Sequence, residues 1–115
     1  MEDYALILSD LFKEQYANHS SSGKIKIIEK IDKLILEIIK DPRKGTGKPE
    51  RLKDVSKIEP EIDPQSIHIW SRRITDEHRL TYRIYDEKRI VFVMLCKGHY
   101  VDFNKFYGFN FLLDY

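Results

Sequence analysis

The residues from Lys24 to Lys40 form the most regular pattern in the chain. Apolar side chains recur there at intervals of three and four residues, with Lys and Glu between them, which predicts one amphipathic helix. The apolar stripe consists of Ile27, Ile28, Ile31, Leu34, Ile35, Ile38 and Ile39. Most of these residues are isoleucines, whose β-branched side chains are mildly unfavourable in a helix. We therefore expect the helix to be stabilised mainly by packing against a sheet.

The other apolar segments predict that sheet. Residues 4–8 predict a first strand, and Ser9 and Asp10 can cap a first helix that reaches about Asn18. A polar break at 19–23 connects the two helices and supplies a serine as N-cap. Three strands are predicted at 67–74, 78–85 and 89–97, and the last is apolar throughout, as central strands are. The order β-α-α-β-β-β predicts an α+β fold, with a helical hairpin packed on a mainly antiparallel sheet.

Composition restricts the classes of function. The net charge is only +1, but basic residues concentrate at 40–57 and 72–89, and such local potential attracts a polyanion or an acidic partner. The single cysteine, Cys96, excludes an intramolecular disulfide, and its apolar surroundings predict a buried, inert thiol. The sequence has neither a secretory signal nor an apolar run long enough to span a bilayer. We therefore expect a cytoplasmic protein with no membrane partner.

Two segments depart from regular patterns. Residues 42–50 contain Gly45 and Gly47 and then Pro49, which predicts a loop with backbone freedom and a rigid bend that places Glu50. This loop is not a P-loop, because Lys48 is followed by proline and not by Ser or Thr. Residues 54–66 predict an exposed insertion. Residues 101–115 form an aromatic C-terminal extension, which either packs on the body or forms an exposed patch.

The segment 69–80 predicts a strand, a tight turn and the start of the next strand. It places Arg73 and Arg79 on either side of the turn. The segments 45–53 and 96–100 add a carboxylate, a lysine, a histidine and a phenol. This set suffices for metal-free acid–base chemistry on a phosphodiester. No two histidines stand at metal-ligand spacing with a carboxylate, so we expect neither a metal nor another cofactor.

Three segments, 45–53, 69–82 and 96–100, closely resemble the YoeB/Txe toxins of the RelE/ParE superfamily. They read Gly-Thr-Gly-Lys-Pro-Glu-Arg-Leu-Lys, Ile-Trp-Ser-Arg-Arg-Ile-Thr-Asp-Glu-His-Arg-Leu-Thr-Tyr and Cys-Lys-Gly-His-Tyr. The resemblance implies a RelE/ParE-like toxin domain at residues 1–100. It also implies the toxin of a bacterial type II toxin–antitoxin pair, a ribosome-dependent endoribonuclease that cuts mRNA in the A site and so inhibits translation. Typical members have a shorter segment before Trp70 and end near the His-Tyr pair.

The resemblance also implies site residues. Glu50 would accept the proton of the 2′-hydroxyl, His99 would protonate the leaving 5′-oxygen, and Arg79 and Arg73 would hold the phosphate. Tyr100 either stacks on a base or packs among the aromatic residues of the tail. The catalytic candidates are Glu50, Arg79, His99 and Tyr100, and the substrate- or phosphate-binding candidates are Arg73, Lys53, Lys48 and Arg72.

Each of these residues also has a structural interpretation. Glu50 can be a surface carboxylate that pairs with Lys48 or Arg51, and His99 can be a hydrogen-bonded histidine at a strand end. The two arginines can form ion pairs with Glu77 or Asp76 on the sheet surface. His19, His68 and His78 are expected to have only such structural roles, and Trp70 is expected in the core.

The implied partners are the ribosome, mRNA and a small acidic antitoxin of the YefM/Axe type. A homodimer and a toxin–antitoxin hetero-oligomer both stay open. One alternative function is a non-enzymatic, degenerate toxin that binds proteins and whose tail covers the groove. Another is a gyrase-poisoning ParE-like relative, against which the Glu, Arg and His-Tyr set argues.

Overall fold

The computed structural model describes residues 2–52 and 68–99. In this part of the chain, two helices and five strands follow one another. Their bounds are β1 (Ala5–Leu8), α1 (Asp10–Ser21), α2 (Ile25–Lys40), β2 (Glu50–Arg51), β3 (His68–Arg73), β4 (Arg79–Tyr85) and β5 (Ile90–Leu95). Lys53, the predicted insertion at 54–66, Tyr100 and the extension at 101–115 lie outside the described residues.

The strands form one mixed sheet in the order β1-β5-β4-β3-β2. Only β1 pairs in parallel, with β5, and the remaining pairs are antiparallel. This confirms the α+β fold with a helical hairpin on a mainly antiparallel sheet. The sequence did not predict β2, because two residues are too few to show a periodic pattern. They pair at the edge of the sheet, with Glu50 opposite Ser71 and Arg51 opposite Trp70.

The stripe on α2 packs on one face of the sheet, as its pattern predicts. Ile31, Leu34 and Ile38 are fully buried, and the rest of the stripe is half-buried. They join a core cluster with alternate residues of β4 and β5, including Leu80, Tyr82, Ile84, Val91 and Val93. The apolar strand β5 lies between β1 and β4, so its predicted central position is confirmed. Leu80, Tyr82 and Ile84 therefore mark the face of the sheet that the helices cover.

The helix ends confirm one capping prediction and overturn another. The Ser9 hydroxyl accepts a hydrogen bond from the Phe12 amide at 2.9 Å and caps α1 as expected. The predicted serine cap of α2 is wrong, because Lys24 occupies that position without a side-chain hydrogen bond. The serines belong instead to α1, which continues past Asn18 to Ser21 and ends with the Ser22 amide bound to the Asn18 carbonyl.

Two further residues, Cys96 just after β5 and Thr81 in β4, have no exposed surface. Burial raises the pKa of the Cys96 thiol to about 12, which confirms an inert side chain. The alternation of apolar and polar residues in β4 places Thr81 on the same face as Arg79 and Arg83, where a polar side chain is expected to be exposed, yet Thr81 is fully buried. Thr81 stands opposite Ser71 of β3, which is also buried, so this part of the face opposite the helices is buried too. Within residues 2–52 and 68–99, no helix is long and apolar enough to cross a membrane.

The packing of α2 gives a test with an internal control. Leu34→Ala should lower the free energy of unfolding by about 2–5 kcal/mol, because it opens a cavity in the core. Leu36 lies on the same helix but is 62% exposed, so Leu36→Ala should change it by less than about 1 kcal/mol. Urea denaturation of both variants measures the difference. Equal losses would contradict the assignment of the buried face.

Candidate functional site

The turn between β3 and β4 brings together three of the predicted site residues. Arg73 and Arg79 stand directly opposite each other at the ends of the two strands. The Asp76 carbonyl, within the turn, accepts hydrogen bonds from Arg79 Nη1 and from His99 Nε2, both at 3.2 Å. Because both side chains donate to the same oxygen atom, the guanidinium and the imidazole must be neighbours. The turn therefore places a fixed cation beside a histidine.

Arg79 is held by the turn that it follows. Its Nη1 donates to the carbonyls of Thr75, Asp76 and His78, and the side chain is half-buried. Among the described residues, all hydrogen bonds of this guanidinium start at Nη1. Within this part of the chain, its Nε and Nη2 atoms have no acceptor, and an arginine binds a phosphate well through two such donors.

Arg73 makes the surface ion pair that the structural interpretation predicted. Its Nη1 lies 3.7 Å from Asp76 Oδ1, and the two side chains are 46% and 96% exposed. Such exposed pairs are weak, so an anionic ligand can compete for this arginine. The Arg73 amide donates to the Gly47 carbonyl at 2.6 Å, which joins β3 to the glycine loop.

Arg72 is not a phosphate-binding residue, contrary to the sequence prediction. It is fully buried, and its guanidinium donates to the carbonyls of Asp41 at 2.9 Å, Lys44 at 2.8 Å and Thr46 at 3.4 Å. Its Nε also donates to the Tyr82 hydroxyl at 3.1 Å. The register explains this position, since Arg72 stands opposite Leu80 and therefore shares the face that the helices cover. Arg72 thus holds the glycine loop against the sheet.

Glu37 holds the same loop from α2. Its Oε1 accepts the Thr46 amide at 2.8 Å and lies 3.8 Å from Arg72 Nη1. The Thr46 amide is the main cause that lowers the pKa of Glu37, and the charge of Arg72 contributes. Gly45 and Gly47 both have positive φ angles, and a Cβ on Gly47 would lie 2.9 Å from the Arg73 carbonyl oxygen. Gly47 is therefore required for the close approach of the loop to the backbone of β3, in addition to the predicted conformational freedom.

This anchored loop leads into β2 and so determines where Glu50 lies. Glu50 stands opposite Ser71, and Ser71 shares a face of β3 with Arg73, two residues on. Glu50, Arg73 and Arg79 therefore occupy the face of the sheet opposite the helices. Glu50 and Lys48 are both exposed, so both are accessible to a ligand.

His78, which directly precedes Arg79, is held between the segment after β5 and helix α1. Its Nδ1 accepts the Gly98 amide at 3.0 Å, and its ring meets the edge of the His19 ring at a centroid distance of 5.0 Å. Burial, followed by the charge on His19, lowers the pKa of His78. His19 itself is buried and hydrogen-bonded to the Cys96 carbonyl at 3.0 Å, as its structural interpretation predicted.

Lys53 and Tyr100 were also predicted to belong to this site. Both residues lie outside the described part of the chain, so their roles stay predictions. Within the part that is described, no three His, Cys, Asp or Glu side chains come together in a way that could hold a metal ion.

Comparison with known proteins gives consistent matches over most of the chain. The family model of the YoeB-like toxin of bacterial type II toxin–antitoxin systems matches residues 9–100. Toxin YoeB of Streptomyces coelicolor is 39% identical over 88 residues, which are 76% of this chain and 88% of that protein.

Solved structures agree with these matches. The YoeB/ParE toxin from Agrobacterium tumefaciens superposes with a TM-score of 0.67 and 31% identity, over 84% of this chain and 99% of that one. A toxin chain in the heterotetrameric YoeB–YefM toxin–antitoxin complex from Staphylococcus aureus superposes with a TM-score of 0.63 and 31% identity. That match covers 84% of this chain and 98% of the other.

The contrast between Arg72 and Arg73 can be tested by stability. Arg72→Met should lower the free energy of unfolding by about 3–5 kcal/mol, because it leaves buried carbonyls without donors. Arg73→Met should cost less than about 1 kcal/mol, since it removes only an exposed ion pair. Chemical denaturation of the two variants provides the comparison. If the two arginines proved equally dispensable, the anchoring role of Arg72 would be wrong.

Proposed function

The chain belongs to the family of YoeB-like toxins of bacterial type II toxin–antitoxin systems, and from this premise we propose that it cleaves mRNA in the A site of the ribosome. The observation that carries the proposal is the shared Asp76 carbonyl, which holds the side chains of Arg79 and His99 side by side. Glu50 and Arg73 stand on the same face of the sheet as Arg79. A carboxylate and two arginines thus lie on one face of the sheet, and His99 is held beside Arg79 at the turn, which supports the proposal.

The reaction that suits this set is attack by the 2′-hydroxyl of the RNA on the adjacent phosphorus atom. Glu50 removes the proton of the hydroxyl, as an exposed carboxylate. The O2′–P bond forms as the P–O5′ bond breaks, and the products are a 2′,3′-cyclic phosphate and a 5′-hydroxyl. His99 gives its proton to the departing 5′-oxygen.

The arginines stabilise the charge that builds up on the phosphate. Arg79 offers Nε and Nη2 from a guanidinium that the turn has already oriented, so little reorganisation is needed during the reaction. Arg73 is more exposed and must leave Asp76, which makes it the weaker contributor. Lys48 and Lys53 add positive charge for the RNA backbone, and Tyr100 stacks on a base. No metal takes part in these steps.

The partners follow from the same premise. The S. aureus YoeB structure is a complex with YefM, and we propose a corresponding small acidic antitoxin for this chain. Its acidic side chains would bind the arginines and Lys48 and so compete with RNA. Because ribosomes are the proposed site of action, we place the protein in the cytoplasm.

Cleavage by purified protein on programmed ribosomes tests the roles of the side chains. Glu50→Gln should lower the single-turnover rate by about 10²–10⁴-fold, because the amide cannot accept the proton. Arg79→Met should lower it by at least about 10²-fold through loss of charge stabilisation. Glu87→Gln is the matched control, since Glu87 is exposed in the turn at the other end of β4.

The control variant should cleave at the wild-type rate, and circular dichroism establishes that all variants are folded. Cleavage by Glu50→Gln and Arg79→Met at the wild-type rate would overturn the assignment of both residues.

A further inference from the structure

Gly98, the residue before His99, has both of its backbone polar groups bound by neighbouring residues of β4 and its turn. Its amide donates to His78 Nδ1 at 3.0 Å, and its carbonyl accepts the Arg79 amide at 3.0 Å. Its φ angle of 73° lies in the left-handed region, where the chain turns out of β5. The backbone that presents His99 is thus held from both sides.

The hydrogen bond to Gly98 determines the protonation state of His78. A backbone amide can only donate, so Nδ1 of His78 must be without a proton, and the neutral ring carries its proton on Nε2. The surroundings maintain this neutral state. Burial lowers the pKa of His78, and the charges of His19, Lys97 and His99 act in the same direction, whereas Glu77, 3.9 Å from Nε2, opposes them.

We propose that His78 is a positioning residue, which fixes the His99 imidazole beside the Arg79 guanidinium through the hydrogen bond from Gly98 to its Nδ1. The inference rests on the proposed function, because it assigns His78 a part in the same reaction. His78 does not touch the RNA in this proposal.

The backbone of His78 supports the same geometry. Its carbonyl accepts the amides of Ile74 at 3.0 Å and Thr75 at 3.2 Å, so the residue closes the turn that contains Asp76. The Asp76 carbonyl accepts a hydrogen bond from His99 Nε2, and the Gly98 amide before His99 donates to His78 Nδ1. His78 therefore contacts both the turn that binds the His99 side chain and the backbone that leads to His99. Loss of the hydrogen bond to Nδ1 would release the Gly98 amide and, with it, the backbone that leads to His99. Errors of about 1 Å in the placement of a catalytic group can cost about 10²-fold in rate.

Two substitutions of His78 test its hydrogen-bond acceptor and its ring independently. His78→Phe keeps a ring that can pack against His19 but has no acceptor for the Gly98 amide. His78→Asn places its carbonyl oxygen close to where Nδ1 lies, so it restores the acceptor while losing the ring. A role in packing alone predicts that Phe is the better replacement, whereas positioning through Nδ1 predicts that Asn is.

Kinetics on programmed ribosomes form the first part of the test. We expect His78→Phe to lower kcat by about 10–100-fold with KM changed by less than about threefold, because binding is retained while placement is lost. His78→Asn should recover kcat to within about fivefold of the wild type. Wild-type kcat in His78→Phe, or equal losses in both variants, would overturn the inference.

Hydrogen exchange at the Gly98 amide, measured by NMR on the free protein, forms the second part and does not depend on RNA cleavage. We expect protection in the wild type and in His78→Asn, and at least about tenfold faster exchange in His78→Phe. An unprotected Gly98 amide in the wild type would overturn the inference. A wild-type protein with a protected Gly98 amide and no cleavage would instead refute the proposed function, and with it the catalytic purpose of the contact.

Discussion

The structure depends on the buried guanidinium of Arg72. It donates to three main-chain carbonyls between Asp41 and Thr46 and to the hydroxyl of Tyr82, which itself donates to the Pro42 carbonyl at 2.6 Å. A buried charge is costly unless its donors are satisfied, and here the loop supplies the acceptors. The loop is therefore held against β3, and Glu50, which follows it, enters the sheet next to the turn that contains Arg79.

The same physical device recurs around the turn between β3 and β4. Arg79 donates to the carbonyls of its own turn, and His78 accepts the amide of Gly98, so both side chains fix backbone segments. In the described part of the chain, these contacts use only Nη1 of the Arg79 guanidinium. They also bring His99 from the end of β5 to the turn. The site is built at a point where three separate segments of chain are held by hydrogen bonds to charged or titratable side chains.

Sequence predicted the parts of this structure that depend on apolar periodicity. The stripe on α2, the central position of β5 and the Ser9 cap all follow from local rules. Arg72 was misplaced because two adjacent arginines look alike in sequence, and only the strand register separates them. Alternation offered a signal, since Trp70 was expected in the core and shares a face of β3 with Arg72.

The hydrogen bond between His78 and Gly98 could not be predicted from local sequence, for a different reason. Its partner Gly98 is twenty residues away, and the contact exists only because Arg79 pairs with the segment that follows β5. Long-range contacts of this kind depend on the packed sheet, not on residue type. Likewise, the two-residue strand β2 follows from the anchored loop and not from strand propensity. The features that local sequence patterns did not predict therefore lie around the candidate site, where the geometry depends on tertiary hydrogen bonds.

The most direct test of the account is cleavage of one defined mRNA in two forms, as naked RNA and in ribosomes with an open A site. In a second pair of reactions, the A-site nucleotides carry 2′-deoxyribose. We expect cutting in the A site only on ribosomes, with a 2′,3′-cyclic phosphate end, and no cutting of the 2′-deoxy substrate. Cleavage of naked RNA at the same rate, or of the 2′-deoxy substrate, would contradict it.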